Sequence, residues 1–455
     1  MHDLTQGSIT RHIIKMAVPI CVGMLFQVAY FLIDLYFVSR VGDAAIAGVG
    51  AAGTLNFVVM AITQVLGVGT ATLIAQAVGR KDHADANLLF NQSFAMSAFC
   101  AVLTMVGGWL AIGPYMHAMG TDDAMRVAGS SYLIWCLPGL ALQFAINAMG
   151  AALRGTGIAK PTMIVQMLTV IINAVLAPVL IAGWGTGKPL GVAGAGLATS
   201  IAVVAGTLML TGYFLKLEKY VTFDLAQWSP RFDVWGRLLR VGLPAGGEFA
   251  LMFVYMAVIY VTIRDFGVAT QAGFNVGSRV MQAIFLPAMA VAFATSPVAA
   301  QNFGARQFER VRETFRVSVA ISTALMLALT LLTQIAPALL VSPLANDDPA
   351  VIAVGAEFLT YISWNFIAQG IVFTCSGMFQ ALGNTVPALV SSATRLITFA
   401  IPVVIVSRQP GFQLHHVWIA SMASVALQAL FSLWLLRGQF RQRLQAIPVP
   451  AAAAA

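Results

Sequence analysis

The chain is 455 residues long, with 9% charged residues, 59% in the hydrophobic set and a formal net charge of +8. Soluble domains carry roughly a quarter charged residues, so a soluble globular protein is excluded and a polytopic membrane protein is indicated. In such a chain a positive surplus reports orientation in the bilayer, which removes a nucleic-acid partner from consideration.

In chain order, apolar stretches at 13–39, 44–78, 90–116, 127–153, 161–182 and 192–215 are followed by others at 238–263, 268–303, 317–341, 351–382, 387–406 and 417–436. Each reaches or exceeds the ~20 residues that take an α-helix across a bilayer. The pattern predicts an all-α protein with twelve transmembrane helices in two six-helix halves. An N-lobe is expected at 1–216, a cytoplasmic linker at 217–235, a C-lobe at 236–443 and a disordered tail at 444–455. Residues 1–11 are polar and the first apolar segment is too long for the core of a signal peptide, so the first span is expected to stay in the membrane.

Lys and Arg gather on the cytoplasmic side of membrane proteins. With the N-terminus inside, eighteen of them fall in cytoplasmic segments and five, Arg40, Arg126, Lys188, Arg264 and Arg408, fall outside. Both termini are therefore expected in the cytoplasm of a cell whose cytoplasmic (inner) membrane holds the protein. Cys21, Cys100, Cys136 and Cys375 all lie within spans, without a Cys-x-x-Cys pair, so neither a disulfide framework nor a metal site is indicated.

The halves are copies. Residues 16–82 match 241–307 at a shift of 225: Pro19 falls on Pro244, Gly42 on Gly267, Gln76 on Gln301 and Gly79 on Gly304. Further on, Gly157 and Pro161 meet Gly383 and Pro387 at a shift of 226. Repeats in the same orientation place a substrate site at their interface and suit alternating access better than a passive pore.

Ionisable residues deep in a membrane are costly, so the few present are functional candidates. Of seventeen acids only Asp34 and Glu248 sit well inside a span. Gly23, Gln27, Tyr30 and Asp34 recur at helical spacing and form one polar stripe, expected to face an internal cavity. Asp34 lies about 21 residues into its helix, roughly 30 Å along the axis, toward the outer leaflet, where a carboxylate is suited to exchange a proton. A structural acid bonded to a neighbouring helix is the plainer alternative.

Glu248 lies near mid-membrane, with Met252 and Tyr255 on its face; Arg279 and Arg395 also lie within spans and are candidates to pair with it statically or to act as coupling charges. Asn173 and Thr199 add uncharged polar groups in the fifth and sixth spans. Met24, Met252 and Met256 are candidates for an adaptable apolar lining, and Pro19 for a hinge, although packing and static kinks are the commoner roles. There is no His-Glu-x-x-His, no Gly-Lys-Ser/Thr phosphate loop and no nucleophile elbow, so neither an enzyme nor ATP-driven transport is indicated and no cofactor is expected.

Together, Ala17-Val-Pro19 with Asp34, Ala75-Gln-Ala-Val-Gly79, Leu153-Arg-Gly-Thr-Gly157 with Pro161, Gly191-Val-Ala-Gly194 and Gln301-Asn-Phe-Gly-Ala305 make the chain resemble, over nearly its whole length, the multidrug and toxic compound extrusion (MATE) family, prokaryotic branch. The resemblance implies two six-helix lobes in a V that export organic cations or amphipathic toxicants in exchange for H⁺ or Na⁺, working as a monomer. It further implies that Asp34, Asn173 and Thr199 form an ion-coupling pocket in the N-lobe, with Gln27 and Tyr30 beside it for substrate. Two departures weaken a Na⁺ site. The family's Asn-x-x-x-Asp-Pro pattern reads Asn173 to Ala177-Pro178 here, and the C-lobe position eight residues after Pro244, a glutamate in one branch, is Met252. Alkali and alkaline-earth cations are held by several oxygens, so proton exchange is expected. Na⁺ coupling and a lipid-linked oligosaccharide flippase of the same superfamily are the alternatives.

Overall fold

A computed structural model describes residues 1–120 and 122–445. The expected tail falls outside the described residues from position 446 onward. The helices are α1 (Ile9–Ser39), α2 (Asp43–Gly79), α3 (His83–Met119), α4 (Asp123–Gly155), α5 (Lys160–Ile181), α6 (Val192–Lys216), α7 (Phe232–Ile263), α8 (Val268–Gly304), α9 (Phe308–Ile335), α10 (Pro337–Val341), α11 (Pro349–Ile362), α12 (Phe366–Ala381), α13 (Val386–Ser407) and α14 (Leu414–Arg443). With α11 and α12 counted as one span, twelve helices among the described residues are long and apolar enough to cross a membrane. Several outrun their apolar stretches: α3 begins at His83 because the Asp82 side chain accepts from the Asp85 amide and caps it.

Two of the expected spans are interrupted. The stretch 317–341 is not one helix, because Ala336, which precedes Pro337, adopts φ −143° and ψ 59° and ends α9. The stretch 351–382 tightens into a 3-10 turn at Ser363–Asn365, where α9 takes over backbone acceptors. Thr330 Oγ1 donates to the Ser363 carbonyl (3.0 Å), and Gln334 Nε2 donates to the Thr360 carbonyl (2.7 Å).

The duplication is visible in the packing. Within the first lobe α1 packs on α5, α2 on α4, and α4 and α5 on α6; within the second α7 packs on α13, α8 on α12, and α12 and α13 on α14. Between the lobes α1 meets α8 and α2 meets α7, so each lobe offers the same pair of helices to the other, and α2 meets α8 directly.

That last contact explains the matched Gln and Gly of the repeat. Gln76 Nε2 donates to the Ala381 carbonyl (2.8 Å) and Gln301 Nε2 to the Gly155 carbonyl (3.0 Å), each reaching from its own lobe to the other. A Cβ on Gly79 would stand 2.0 Å from the Gln301 carbonyl oxygen, and one on Gly304 would stand 2.2 Å from that of Gln76. Only glycine lets the backbones approach this closely, so the lobes are joined at this end through a reciprocal pair of bare backbone contacts.

Two flanking segments secure the same end. The linker lies on α3, where the fully buried Asn91 and Gln92 hold it. Asn91 donates to the Thr222 carbonyl (2.9 Å) and accepts from the Asp224 amide (2.9 Å) and the Trp228 indole (3.0 Å). Gln92 donates to the Ser229 carbonyl (2.8 Å) and accepts from the Arg231 amide (2.9 Å) and the Trp235 indole (3.0 Å). Each such bond contributes about 1 kcal/mol net, but removing either side chain would strand several buried partners at about 1–3 kcal/mol apiece. Asp85 adds a bidentate pair to Arg237 (3.0 Å on each oxygen) and a bond to Arg80 (2.9 Å), fixing the start of α7 against the ends of α2 and α3.

On the C-lobe side, the first residues of the chain are tucked under α8. The His2 amide donates to the Thr156 carbonyl of the first lobe (2.8 Å), whereas the Leu4 amide donates to Gln301 Oε1 of the second (2.9 Å). The Leu4 carbonyl accepts from Asn302 (3.1 Å) and Arg310 (3.3 Å), and its side chain is fully buried.

Candidate functional site

The polar stripe of α1 faces a cavity of about 290 Å³ inside the first lobe, lined among others by Gln27, Tyr30, Asp34, Asn56, Gln143 and Thr199. Asp34 is buried, and two other helices reach it. Asn173 Nδ2 of α5 donates to its Oδ1 (3.2 Å), and Thr199 Oγ1 of α6 donates to its Oδ2 (3.4 Å). Both donors are neutral, and among the described residues no cation forms an ion pair with Asp34. Ionised, the carboxylate would be a desolvated charge with two modest hydrogen bonds; protonated, it is a neutral polar group in a polar pocket. Beside it the Tyr30 hydroxyl and Asn173 Oδ1 are buried with no partner at hydrogen-bond geometry, although Thr199 lies next to Tyr30. Pro19, Met24 and Arg154 line an adjoining chamber that shares Gln27, Gln143 and Gln166 with the first.

A further cavity of about 100 Å³ is lined mainly by the second lobe, in part by Glu248, Met252, Tyr255, Gln369, Ser376 and Arg395, and meets the chamber at Gln64 of α2 and Phe293. Glu248 Oε2 accepts from Ser376 Oγ (2.8 Å). Arg395 stacks its guanidinium over the Tyr255 ring, 4.0 Å from the centroid, and donates from Nη1 to Gln369 Oε1 (3.2 Å). The Tyr255 hydroxyl is held by Ser421 Oγ at 2.6 Å.

The duplication shows how these two cavities diverged. α5 and α13 keep the 226 shift at both ends, whereas α6 and α14 begin 222 apart, because the loop 408–413 is four residues shorter than 182–191. On that register Tyr30 matches Tyr255, Thr199 matches Ser421 and Gln143 matches Gln369. Asp34 and Asn173, however, match Ile259 and Phe399, which are packed in the apolar core of the second lobe. In the opposite direction Glu248, Ser376 and Arg395 match Gly23, Gly150 and Thr169. A shared Tyr, hydroxyl and Gln frame therefore holds a lone acid in one lobe and both an acid and a base in the other.

A model of the MatE family matches residues 19–179 and again 244–406, one match in each lobe. The chain belongs to the MATE family. This MATE family member is 25% identical over 436 residues to the probable multidrug resistance protein YoeA of Bacillus subtilis, with 94% of this chain and 93% of the relative covered. It is 24% identical to the multidrug export protein MepA of Staphylococcus saprophyticus, with 96% of each chain covered, and 23% identical to an FAD transporter of Shewanella oneidensis, with 88% of each covered. Among solved structures it is similar to a MOP superfamily transporter from Pyrococcus furiosus, described as having a binding pocket of reversed polarity, with TM-score 0.90, 24% identity and 98% of both chains covered. An outward-facing MATE family transporter also matches with TM-score 0.90, at 24% identity and 98% coverage of each.

Within this MATE fold the structure brings Asp34, Thr199, Gln27 and Tyr30 into one cavity, with the fully buried Asn173 bonded to Asp34 from behind its wall and Met24 and Pro19 in the chamber beside it. It places Glu248, Met252, Tyr255 and Arg395 in the other. Three expectations change. Met256 does not line the cavity; it turns one position past Tyr255 and packs on the apolar core of the second lobe. Arg279 is exposed in the first third of α8 and does not share the Glu248 cavity. The static ion pair with Arg279 or Arg395, one of the two readings open for Glu248, is absent among the described residues, where the acid's partner is Ser376. Gln143 and Gln369 were not singled out from the sequence; the signal for them was a glutamine at the same repeat position in both halves. Where the family's fifth-span pattern carries an aspartate, Ala177 is fully buried in an apolar cluster with Ile181 and Val192.

Proposed function

We propose that this MATE transporter exports organic cations or amphipathic toxicants across the cytoplasmic membrane in exchange for protons, by alternating access between the lobes, with Asp34 as the proton-exchanging group. Asp34 supports this reading most directly, being buried among neutral donors with no cation among the described residues paired to it. Asn173 and Thr199 would orient the carboxylate, and a proton bound there would remove the cost of the buried charge and change how α1 packs against α5 and α6. The multidrug relatives support the substrate class. Ala177 supports H⁺ over Na⁺, because it puts a methyl group in an apolar cluster where a second carboxylate would stand. Efflux of a cationic dye from proteoliposomes should follow an imposed pH gradient in Na⁺-free buffer and gain less than about twofold from added Na⁺. Transport that appears only with Na⁺ would replace the proton in this scheme and recruit the unpartnered oxygens of Tyr30 and Asn173 as ligands.

The orientation proposed for this cycle has both termini in the cytoplasm, so the joined end at Gly79 and Gly304 is the cytoplasmic one and the structure is closed to the inside. It is supported by the eighteen-to-five division of basic residues. A reporter inserted beside Asp224 should register as cytoplasmic and one beside Asp347 as external; the reverse pair of signals would invert the transport direction assigned here.

A further inference from the structure

The chamber beside the Asp34 cavity, about 210 Å³ in volume, holds a cation without a counter-charge among the described residues. Arg154, in the last turn of α4, lines it, and no described residue forms an ion pair or a hydrogen bond with its guanidinium. None of the described residues lining the chamber is acidic. Asp34 itself lies eleven residues beyond Gly23, the chamber residue of α1, or about 16 Å along the helix. A positive charge at a helix C-terminus is favourable in itself, but in that role it would bond the last carbonyls of α4 and would serve the second copy equally. The matching position there is Gln380.

The rest of the lining departs from the second copy in the same sense. Gln27, Gln64, Asn147 and Gln166 match Met252, Met289, Phe373 and Ser392, so amides stand in this lobe where thioethers, a ring and a hydroxyl stand in the other. Gln27, Gln64, Gln143 and Gln166 make no side-chain hydrogen bond to any described residue, and the buried Thr162 Oγ1 has no partner. A guanidinium offers five N–H donors in a fixed fork and each glutamine two more. That is more than the two oxygens of a carboxylate accept and closer to the three terminal oxygens of a phosphate. Through Gln27 and Gln143 the chamber runs into the cavity of about 290 Å³, and the joined space suits a body of two or three rings rather than two long acyl chains.

We propose that this chamber is an anion subsite that takes the phosphate of water-soluble aromatic phosphomonoesters, with Arg154 holding the phosphate oxygens and the free glutamines completing their shell. The inference goes beyond the export reading above: it concerns a ligand group of opposite charge to the cations named there, and it stands or falls on binding alone.

The test compares probes that share one ring system: 4-methylumbelliferyl phosphate, a dianion at about pH 8, the neutral ether 7-methoxy-4-methylcoumarin, and the carboxylate 7-(carboxymethoxy)-4-methylcoumarin. Purified full-length protein in detergent should bind the phosphate at least about tenfold more tightly than the ether, the size expected for one desolvated charge-assisted contact, with the carboxylate in between. Arg154→Gln, which installs the residue of the second copy, should bring the phosphate-to-ether ratio to within about twofold of one, and Arg154→Lys should restore part of it. Gln64→Met should weaken the phosphate by about threefold or more and leave the ether within about twofold. The wild-type comparison needs no variant, so the inference stays testable if a substitution impairs folding. Equal binding of phosphate and ether by the wild type, a carboxylate bound as tightly as the phosphate, or an unchanged ratio in folded Arg154→Gln overturns the assignment. Dihexanoyl phosphatidic acid carries the same phosphate on two acyl chains and should bind more weakly than the aryl phosphate; the reverse order makes the chamber a lipid site and overturns the soluble ligand. Export of a cationic dye driven by a pH gradient is measured in parallel on the wild type: its failure would remove the transport reading and leave the probe preference standing, whereas loss of the preference with export intact would remove the anion subsite alone.

Discussion

Asp34→Asn is expected to insert and purify like the wild type and to lose proton-coupled efflux by at least about tenfold, since the amide keeps the size and most of the hydrogen bonding but cannot titrate. In the structure the carboxylate only accepts, from Asn173 Nδ2 and Thr199 Oγ1. An asparagine side chain resembles the protonated acid, with one acceptor and one donor face, so the variant should rest in the packing of α1 that the protonated form favours. Binding of a cationic dye should survive, somewhat weaker, because Tyr30 and the apolar walls remain. Glu248→Gln should impair export less, or only for some substrates. Drug-driven proton exchange at the wild-type rate by the Asp34→Asn protein in liposomes would remove Asp34 from the mechanism and leave Glu248 as the remaining acid well inside a span.

The second large effect is expected where the lobes join. Gly79→Ala should be stabilising in an ordinary helix, because alanine exceeds glycine in helix propensity by about 1 kcal/mol. Here its Cβ would lie 2.0 Å from the Gln301 carbonyl oxygen, a backbone atom that cannot rotate away. Overpacking of this kind costs about 1–3 kcal/mol, which would move the population away from the joined state by about 5- to 150-fold. Gly304→Ala should act alike through the Gln76 carbonyl, whereas Gly50→Ala on the same α2, where a Cβ meets nothing within 4 Å, should be silent. Hydrogen exchange reads this out, since the amides of His2 and Leu4 are bonded across the junction and should exchange faster when it opens. Unchanged protection together with wild-type transport in Gly79→Ala would mean that the close approach is not required for the cycle.

Much of this was legible in the sequence because it is local or periodic. Span count follows from stretches long enough to cross a bilayer, and the polar stripe of α1 follows from the helical period. The matched Gln and Gly pairs announced the duplication, but not that they touch each other across it. What stayed hidden depends on neighbours far away in the chain. The 3-10 turn at Ser363–Asn365 is made by Thr330 and Gln334 of α9, and nothing in its own residues marks it. Arg395 reads from sequence as a charge in search of an acid, and only the fold shows that it lies on an aromatic ring instead. Met256 shares the spacing of Met252 along α7, yet it lies one step of 100° past the cavity-lining Tyr255 and packs on the core.

The buried peptide around Leu4 bears on how the molecule is made. Its amide and carbonyl are satisfied by Gln301 and Asn302, and the first of these lies 297 residues later. At about 5–20 residues per second, a ribosome needs roughly 15–60 s to deliver those partners. During that interval the first lobe can assemble its own six helices and offer the Thr156 carbonyl to His2, but the Gln301 and Asn302 side chains that hold Leu4 are not yet made. The seam between the halves is therefore closed by residues made early meeting others made some three hundred residues later, so a molecule without its second half lacks the partners that seal it.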